Sequence, residues 1–209
     1  MRQKPDAVTL LTTQYRMNED IMRFSSEWFY HGKVESAPDV RHRSVLDYDI
    51  PMLWIDTADM SCREEFVGES YGRINKTEAR LTLAALQLYF DKVGRERILS
   101  ERIDVGIISP YRAQVQFLRH LIKADPWFKP YRHLITVNTV DGFQGQERDI
   151  ILISLVRAND EGQIGFLRDL RRMNVAMTRA RMKLIILGDA PTMTRHPFYK
   201  RLYEYIDNL

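Results

Sequence analysis

Ile150-Ile-Leu-Ile-Ser-Leu-Val156 is an apolar, mostly β-branched run that decides the fold. It shows no alternation of apolar and polar residues, which is typical of a strand covered on both faces of a sheet. Further short apolar runs of strand length lie on either side of it, at Met52–Ile55, Ile103–Ile108, Leu134–Val140 and Leu184–Leu187. The sequence therefore predicts five strands, several of them buried on both faces.

Helical patterns separate most of these runs and predict helices over Thr77–Val93, Ala113–Lys123 and about Met193–Ile206. Alternating strands and helices favour an α/β fold with a mostly parallel sheet and helices on both faces. Residues 31–50 are polar and contain Pro38, and we interpret them as a long connection or small insertion. No other linker stands out, so residues 1–209 are predicted to form one domain.

Composition excludes several classes of protein. Of the 209 residues, 44% are hydrophobic and 28% charged, which is an ordinary globular balance and not a disordered one. The formal net charge of +3 permits a nucleic-acid partner without requiring one. No apolar run reaches membrane-spanning length, so we expect no membrane association. The single cysteine, Cys62, favours a reducing, cytoplasmic setting, or the nucleus in a eukaryote.

The sequence contains no Gly-x-x-x-x-Gly-Lys-Ser/Thr run, the loop whose backbone amides hold nucleotide phosphates. It also contains no strand that ends in an Asp-Glu pair able to orient magnesium, and no residues with metal-ligand spacing. The apolar pair Leu10-Leu11 runs straight into a motif, as though a longer chain had been cut. We therefore expect the isolated chain not to hydrolyse ATP.

Four segments resemble motifs of one family: Gln14-Tyr-Arg-Met17, Ile107-Ile-Ser-Pro-Tyr-Arg-Ala-Gln114, Val137-Asn-Thr-Val-Asp-Gly-Phe-Gln-Gly-Gln-Glu147 and Arg171-Arg-Met-Asn-Val-Ala-Met-Thr-Arg-Ala-Arg181. Their order and spacing are similar to those of the second RecA-like domain of Upf-like superfamily 1 helicases, from about Leu10 to Asp189. The resemblance implies a RecA-like fold that uses ATP with Mg²⁺, the metal being held by a first motor domain absent from this chain. It implies two partners, single-stranded DNA or RNA and the N-terminal motor domain of the same polypeptide.

The resemblance assigns Arg179 as an arginine finger and Arg16 as a second contact to the γ-phosphate. A guanidinium is always charged, and its fork matches phosphate oxygens. If the helix continued through this region, Arg179 would share one side with Arg172, Ala176 and Lys183, whereas Arg181 would form a structural ion pair. The alternative is a basic helix that faces solvent.

The nucleotide-contacting residues implied by the resemblance are Gln14, Tyr15, Gly145 and Glu147. Tyr15 offers a flat ring to the adenine, but a helix start with Tyr15 and Met17 packed in a core is the alternative. The glycines around Gly145 also fit a plain strand-to-helix turn. The family often has Arg or Lys where Gln146 stands.

The resemblance implies nucleic-acid contacts at Ser109, Pro110, Tyr111, Thr139 and Asn75, with help from Arg112, and it makes Gln144 a coupler between the two sites. Local chemistry offers alternatives for two of these segments. Ser109-Pro110 forms an ordinary helix N-cap and first turn. Asn75-Lys-Thr-Glu78 forms a capping box, in which Glu78 reaches back to Asn75.

Two rival functions remain beside a helicase motor domain. One is a degenerate scaffold that binds nucleic acid or protein without catalysis, although a scaffold has no use for Arg16, Glu147 and Arg179 together. The other is a different P-loop enzyme whose phosphate loop has been removed, against which the Arg171–Arg181 string argues.

Overall fold

The five predicted strands form one sheet in the computed structural model, which describes residues 11–68 and 72–209. Along the chain the strands are β1 (Thr13–Gln14), β2 (Glu35–Ser36), β3 (Met52–Asp56), β4 (Glu65–Val67), β5 (Gly72–Ile74), β6 (Val105–Ile108), β7 (Ile135–Asn138), β8 (Arg148–Ser154) and β9 (Ala180–Gly188). The α-helices are α1 (Glu19–Tyr30), α2 (Lys76–Val93), α3 (Arg95–Ser100), α4 (Arg112–Ala124), α5 (Leu170–Met177), α6 (Ala190–Met193) and α7 (Pro197–Asp207).

The central sheet has the strand order β3-β9-β8-β6-β7, and every neighbouring pair is parallel. The decisive run therefore lies in the central strand, β8. Helices cover both faces, and the predicted α/β fold of the RecA-like kind is confirmed. Two small two-stranded pairings lie outside this sheet, β1 with β2 and β4 with β5. The β1–β2 pair ties the irregular connection at residues 31–50 to the start of the described chain.

Both faces of strand β8 are buried, and this explains why its sequence lacks alternation of apolar and polar residues. Ile151 and Ile153 pack into a core beneath α1, α5 and α7, whereas Ile150 and Leu152 pack into a second core beneath α2, α3 and α4. Successive side chains of a strand point to opposite faces, so two buried faces require apolar residues at every position.

The connection from β7 to β8 spans residues 139–147 and crosses the face of β6 instead of forming a long helix. Phe143, fully buried, anchors this connection to the sheet. A Cβ at Gly106 of β6 would lie 2.8 Å from Cε1 of Phe143 and 2.5 Å from Cδ1 of Ile151. Glycine at this position thus lets the connection lie directly on the strand.

Three local predictions differ from the structure. The single helix predicted over Met193–Ile206 is interrupted between α6 and α7, because Pro197 starts the second helix and disfavours helical backbone before it. Helix α4 begins at Arg112 with Tyr111 as its N-cap residue, so Ser109 and Pro110 are not the cap and first turn. Strand β7 ends at Asn138, which leaves Thr139 in the following connection. In the part of the chain that the structure describes, no helix is long and apolar enough to cross a membrane.

Candidate functional site

Three segments meet at the amino ends of β8 and β9: the turn that contains Arg16, the end of the β7–β8 connection at Glu147, and the turn that contains Arg179. The Arg148 amide donates to the Arg179 carbonyl at 2.9 Å, and the Asn18 amide donates to the Arg181 carbonyl at 2.8 Å. We call the place where these segments converge the arginine edge, defined by Arg16, Glu147 and Arg179. The tertiary fold therefore brings together residues that are more than 130 positions apart in sequence.

Arg179 lies in the turn between α5 and β9, since α5 ends at Met177 and β9 begins at Ala180. The expectation that Arg179 and Lys183 share one side of a helix is wrong, because the helix ends too early and Lys183 is a buried strand residue paired with Asp49. Arg179 Nε donates to the Val175 carbonyl at 3.0 Å, and Nη1 donates to the Gln146 carbonyl at 3.1 Å.

The charge on Arg179 is held by neutral carbonyl groups. Among the described residues it forms no ion pair, and it is only partly buried. Burial lowers its pKa, the positive charge of Arg16 lowers it further, and Glu147 opposes both effects. A guanidinium placed in this way is oriented without being neutralised, which suits an anion that arrives from outside.

Arg16 and Glu147 form an ion pair at the same edge, through Nε of Arg16 and a carboxylate oxygen of Glu147. Arg16 Nη1 also donates to the Thr178 carbonyl at 3.3 Å. The other oxygen of Glu147 lies 3.7 Å from Arg181, which pairs in addition with Asp104 at 2.9 Å. Arg181 is thus a structural ion-pair residue, as predicted, whereas Arg16 is more than a third exposed and accessible.

The Gln14 side chain shapes the turn that presents Arg16. Its Oε1 accepts from the amides of Arg16 and Met17, each at 2.7 Å, and its Nε2 donates to the Met17 carbonyl at 2.9 Å. Gln14 therefore positions its neighbours instead of pointing outward. In this turn Tyr15 is 69% exposed while Met17 is buried, so the alternative of a packed core position applies to Met17 and not to Tyr15.

The 139–147 connection links the arginine edge to the opposite edge of the sheet. It starts at Thr139 beside the carboxyl end of β7 and finishes at Glu147 beside the amino end of β8. Gly145 has φ +77°, a backbone conformation that favours glycine, and the adjacent Gln144 is exposed. Gln144, the expected coupler, lies on this connection between the two edges.

At the carboxyl ends of β6, β7 and β8 a small cleft is lined by Pro110, Thr139 and Phe166, among others. We call this region the carboxyl edge. Thr139 is partly buried, and its hydroxyl accepts weakly from the Gly142 amide at 3.4 Å. Tyr111 is buried behind the cleft, and Ser109 is fully buried. Only Pro110 and Thr139 of the predicted nucleic-acid contacts therefore reach the cleft surface.

Asn75 and Glu78 are both fully buried, so Asn75, a predicted nucleic-acid contact, does not reach the protein surface. Asn75 caps α2 by accepting from the Glu78 amide at 3.0 Å, as predicted. The other half of the predicted capping box is wrong. Glu78 Oε1 accepts instead from the Ser154 hydroxyl at 2.6 Å and from the Val156 amide at 2.8 Å, while the Asn75 amide donates to Gln114.

The side chains of Glu78 and Asn75 hold Val156 in an unusual backbone conformation. Val156 has φ +72°, which is strained for a β-branched residue. Glu78 accepts from its amide, and Asn75 Nδ2 donates to its carbonyl at 3.3 Å. Burial raises the pKa of Glu78 to about 7, although the hydrogen bonds from Ser154 and Val156 oppose that rise. Sequence inspection missed this role because the same spacing also fits a capping box.

Val156 is followed by Arg157, a second residue that sequence inspection did not select. Arg157 is almost fully buried, and its Nε donates to Glu64 at 2.6 Å. Its Nη1 lies 3.5 Å from the Tyr111 hydroxyl, and a Cβ at Gly165 would come within 2.3 Å of the same nitrogen. The buried Arg157–Glu64 ion pair thus supports the loop at Gly165, next to Tyr111. In the described residues no cluster of three or more His, Cys, Asp or Glu side chains could hold a metal ion.

Residues 1–191 match the model of a family described as AAA domain. This chain belongs to that family. Its relatives include DNA-binding protein SMUBP-2 of Mesocricetus auratus, 34% identical over 95% of this chain, and probable helicase MAGATAMA 3 of Arabidopsis thaliana, 35% identical over 94%. A third relative, an uncharacterized ATP-dependent helicase of Methanocaldococcus jannaschii, is 32% identical over 98%. The family match and these names confirm the predicted relationship to helicases.

This AAA domain spans 20%, 24% and 30% of the lengths of those three relatives. Among solved structures, the C-terminal domain of a possible DNA helicase from Lactobacillus plantarum matches with a TM-score of 0.49 at 16% identity. That match covers 88% of this chain and 96% of the other.

Proposed function

We propose that this chain is the C-terminal motor domain of an ATP-dependent superfamily 1 helicase, and that it completes an ATP site shared with an N-terminal motor domain of the same polypeptide. The observation that carries the proposal is the arginine edge. There Arg179 is held by neutral carbonyls beside the accessible Arg16 and the exposed ring of Tyr15. Two cations and a free aromatic ring at one edge suit a nucleoside triphosphate.

Each residue of the arginine edge has a separate task in this proposal. ATP supplies a phosphoanhydride bond whose cleavage spreads negative charge over the γ-phosphate oxygens. Arg179 is pre-oriented toward that charge and stabilises it, and Arg16 adds a second contact. Glu147 holds Arg16 in place while the phosphate is away, and Tyr15 stacks on the adenine. The first motor domain supplies the phosphate loop and the carboxylates that hold Mg²⁺.

The carboxyl edge is proposed to grip single-stranded DNA or RNA. Thr139 and Pro110 lie on the cleft surface, and the connection that begins at Thr139 ends at the arginine edge. Contacts of this kind go mainly to backbone phosphates, so binding should be tolerant of sequence and weakened by salt. Closure and opening of the two motor domains would then displace the 139–147 connection, and that displacement would move the bound nucleic-acid strand. The resemblance implies 5′-to-3′ travel.

The competing proposal is a degenerate scaffold that binds nucleic acid without any nucleotide chemistry. It predicts no dependence of ATP turnover on the arginine edge. Arg179 favours the motor domain, since burial and the charge of Arg16 disfavour its own charge and no described carboxylate forms an ion pair with it, whereas an incoming phosphate would.

The test is single-strand-stimulated ATP hydrolysis by the polypeptide that contains this domain and its P-loop partner, with Arg179→Ala as the variant. We expect turnover to fall on the order of 10³-fold or more, because an arginine finger contributes that much to phosphoryl transfer. Arg23→Ala, which removes an exposed arginine of α1, is the matched control and should keep full turnover. Turnover of Arg179→Ala near the parent level, with folding intact, would transfer the role to Arg16 or favour the scaffold.

A further inference from the structure

The edge strand β3 is left partly open on the face of the sheet that α2 covers. Helix α2 packs over β8 and β9, whereas α7 packs against β3 from the opposite face. Met52 and Trp54 point to the side of α7 and are buried, but Leu53, which points to the side of α2, is 42% exposed. The helical layer on the α2 side therefore stops short of the last strand.

The opening between α2 and β3 is an apolar groove, which we call the α2 groove. Leu81, Ala85 and Leu88 form its wall on α2, and Leu53 and Ile55 form its wall on β3. Its rim carries further exposed apolar side chains, those of Tyr48, Ile50 and Met60. An exposed apolar surface formed by several neighbouring side chains is typical of a site that binds another protein.

The rim contains a residue with a strained backbone. Tyr48 has φ +60°, which is unfavourable for a bulky side chain, and its ring is fully exposed. Strained backbone of this kind persists only where the surrounding structure fixes it, and it is concentrated at functional sites. The strain at Tyr48 therefore supports a binding role for the α2 groove.

The shape of the α2 groove suits a helix. The groove follows α2 from Leu81 to Lys92, a length of about 16 Å or about three helical turns. Ala84 and Ala85 lie between the two larger residues Leu81 and Leu88, so a second helix can approach α2 closely there. A helix in this position would extend the layer over β3.

An added strand is disfavoured, because the outer edge of β3 is covered. The Leu184 amide donates to the Pro51 carbonyl, so the backbone groups of the next residue, Met52, point away from β9. Met52 is only 1% exposed, which leaves those groups inaccessible to an incoming strand. The groove beside the edge is open, but the edge itself is not.

The charges of the α2 groove favour an acidic occupant. Its charged residues are Asp49, Lys92 and Lys183. The buried Lys183 lies 3.1 Å from Asp49, and Lys92, which is 65% exposed, lies 3.9 Å from the same carboxylate oxygen. The second oxygen of Asp49 accepts from the Tyr89 hydroxyl at 2.5 Å. Two lysines thus share one carboxylate, and Lys92 keeps donor groups for an acid from outside.

The same charges disfavour a second copy of this chain. In a symmetric dimer the same surface of each copy faces the other. Each α2 groove carries one positive charge in excess, so self-association would bring like charges together.

We propose that the α2 groove is a docking site for a protein partner that inserts an acidic amphipathic helix of about three turns. The apolar stripe of that helix packs between α2 and β3, and a carboxylate at one end of it pairs with Lys92. This site is separate from the arginine edge and from the cleft at the carboxyl edge.

The experiment uses two designed peptides of about 14 residues, each held helical by a side-chain lactam bridge and each with leucines along one face. One peptide has glutamates in its first and last turns, and the other has lysines at the same positions. Binding to this chain is measured by fluorescence anisotropy at low salt. We expect the glutamate peptide to bind with a Kd below about 100 μM and more tightly than the lysine peptide.

Two variants test the two parts of the α2 groove. Leu88→Ala should weaken binding of the glutamate peptide at least about 10-fold, because its side chain is covered in the complex. Lys92→Glu should weaken binding of that peptide about 3- to 10-fold and should bind the lysine peptide more tightly than the wild type does. Lys123→Glu, which changes an exposed lysine of α4 outside the groove, is the matched control and should bind both peptides like the wild type.

Three results would overturn the proposal. Failure of the glutamate peptide to bind at about 1 mM, or equal binding to Leu88→Ala, would remove the helix site. Equal binding of both peptides to the wild type would remove the acidic partner. A concentration-dependent dimer in sedimentation equilibrium that Leu88→Asp abolishes would assign the α2 groove to a second copy of the chain.

Discussion

The arginine edge and the carboxyl edge of the sheet both carry polar residues from the same sequence motifs, but they use them differently. At the arginine edge, Arg16 and Arg179 keep donor groups that an incoming anion can reach. At the carboxyl edge, Ser109, Asn75 and Glu78 are fully buried and bind other protein groups. The comparison shows that residue type and motif order do not separate an accessible polar group from internal support, whereas burial does.

The largest effect on stability should come from the carboxyl edge. Glu78→Ala should lower the free energy of unfolding by about 4 kcal/mol, because the Ser154 hydroxyl and the Val156 amide lose a buried acceptor and Val156 keeps its strained backbone. Urea denaturation measures the change. Glu27→Ala, on the exposed face of α1, should change stability by no more than about 0.5 kcal/mol. A loss below about 1 kcal/mol for Glu78→Ala would mean that this edge is not internally supported.

The next effect is a dependence on pH. The pKa of Glu78 rises from 4.5 to about 7 on folding, so the folded state holds the proton more tightly than the unfolded chain. The stability that this proton contributes is fully present below about pH 4.5 and is lost as the pH rises to about 7. The loss should amount to roughly 3 kcal/mol.

Glu78→Gln, which carries no titratable proton, should lack this part of the pH dependence. The measurement is the difference in unfolding free energy between wild type and Glu78→Gln at several pH values, in which the contributions of other groups cancel. A difference that stays constant between pH 4.5 and 8 would show that folding does not raise the pKa of Glu78.

The smallest effect on stability, with a large effect on activity, is expected at the arginine edge. Arg16→Ala removes an ion pair whose partners are 37% and 39% exposed, and it should cost less than about 1 kcal/mol of stability. ATP turnover by the polypeptide with its P-loop domain should nevertheless fall on the order of 100-fold. Arg97→Ala, which breaks an exposed pair on α3, should leave turnover unchanged. Loss of stability and activity in proportion would make Arg16 a structural residue and remove the contrast between the edges.

Most of the fold could be predicted because the strands are buried on both faces. Such strands need continuous apolar runs, and those runs are visible without any tertiary information. The boundaries were less accurate, since β7 ends at Asn138 where the following connection begins and Pro197 interrupts the last helical region. The early end of α5 also escaped prediction, because Ala180 and the residues after it pair with β8 and that pairing overrides helical propensity.

The candidate site was predicted only in part. Arg16, Glu147 and Arg179 were selected from separate motifs, and the structure places them together. The exposure of Tyr15, the internal role of Gln14 and the burial of Asn75 depend on which neighbours pack around each residue. Phe166 and Arg157 belong to no predicted motif role, and an isolated phenylalanine or arginine in a loop gives no signal of its own.

The sequence by itself determined the sheet, its covered faces and the membership of the motif residues in one family, because periodicity and spacing are properties of the chain. The tertiary structure alone decided which polar groups meet solvent. Burial, the φ of Val156 and the pairing of Arg16 with Glu147 arise from contacts between segments far apart in sequence. Such contacts depend on how the strands and helices pack, and no local pattern records them.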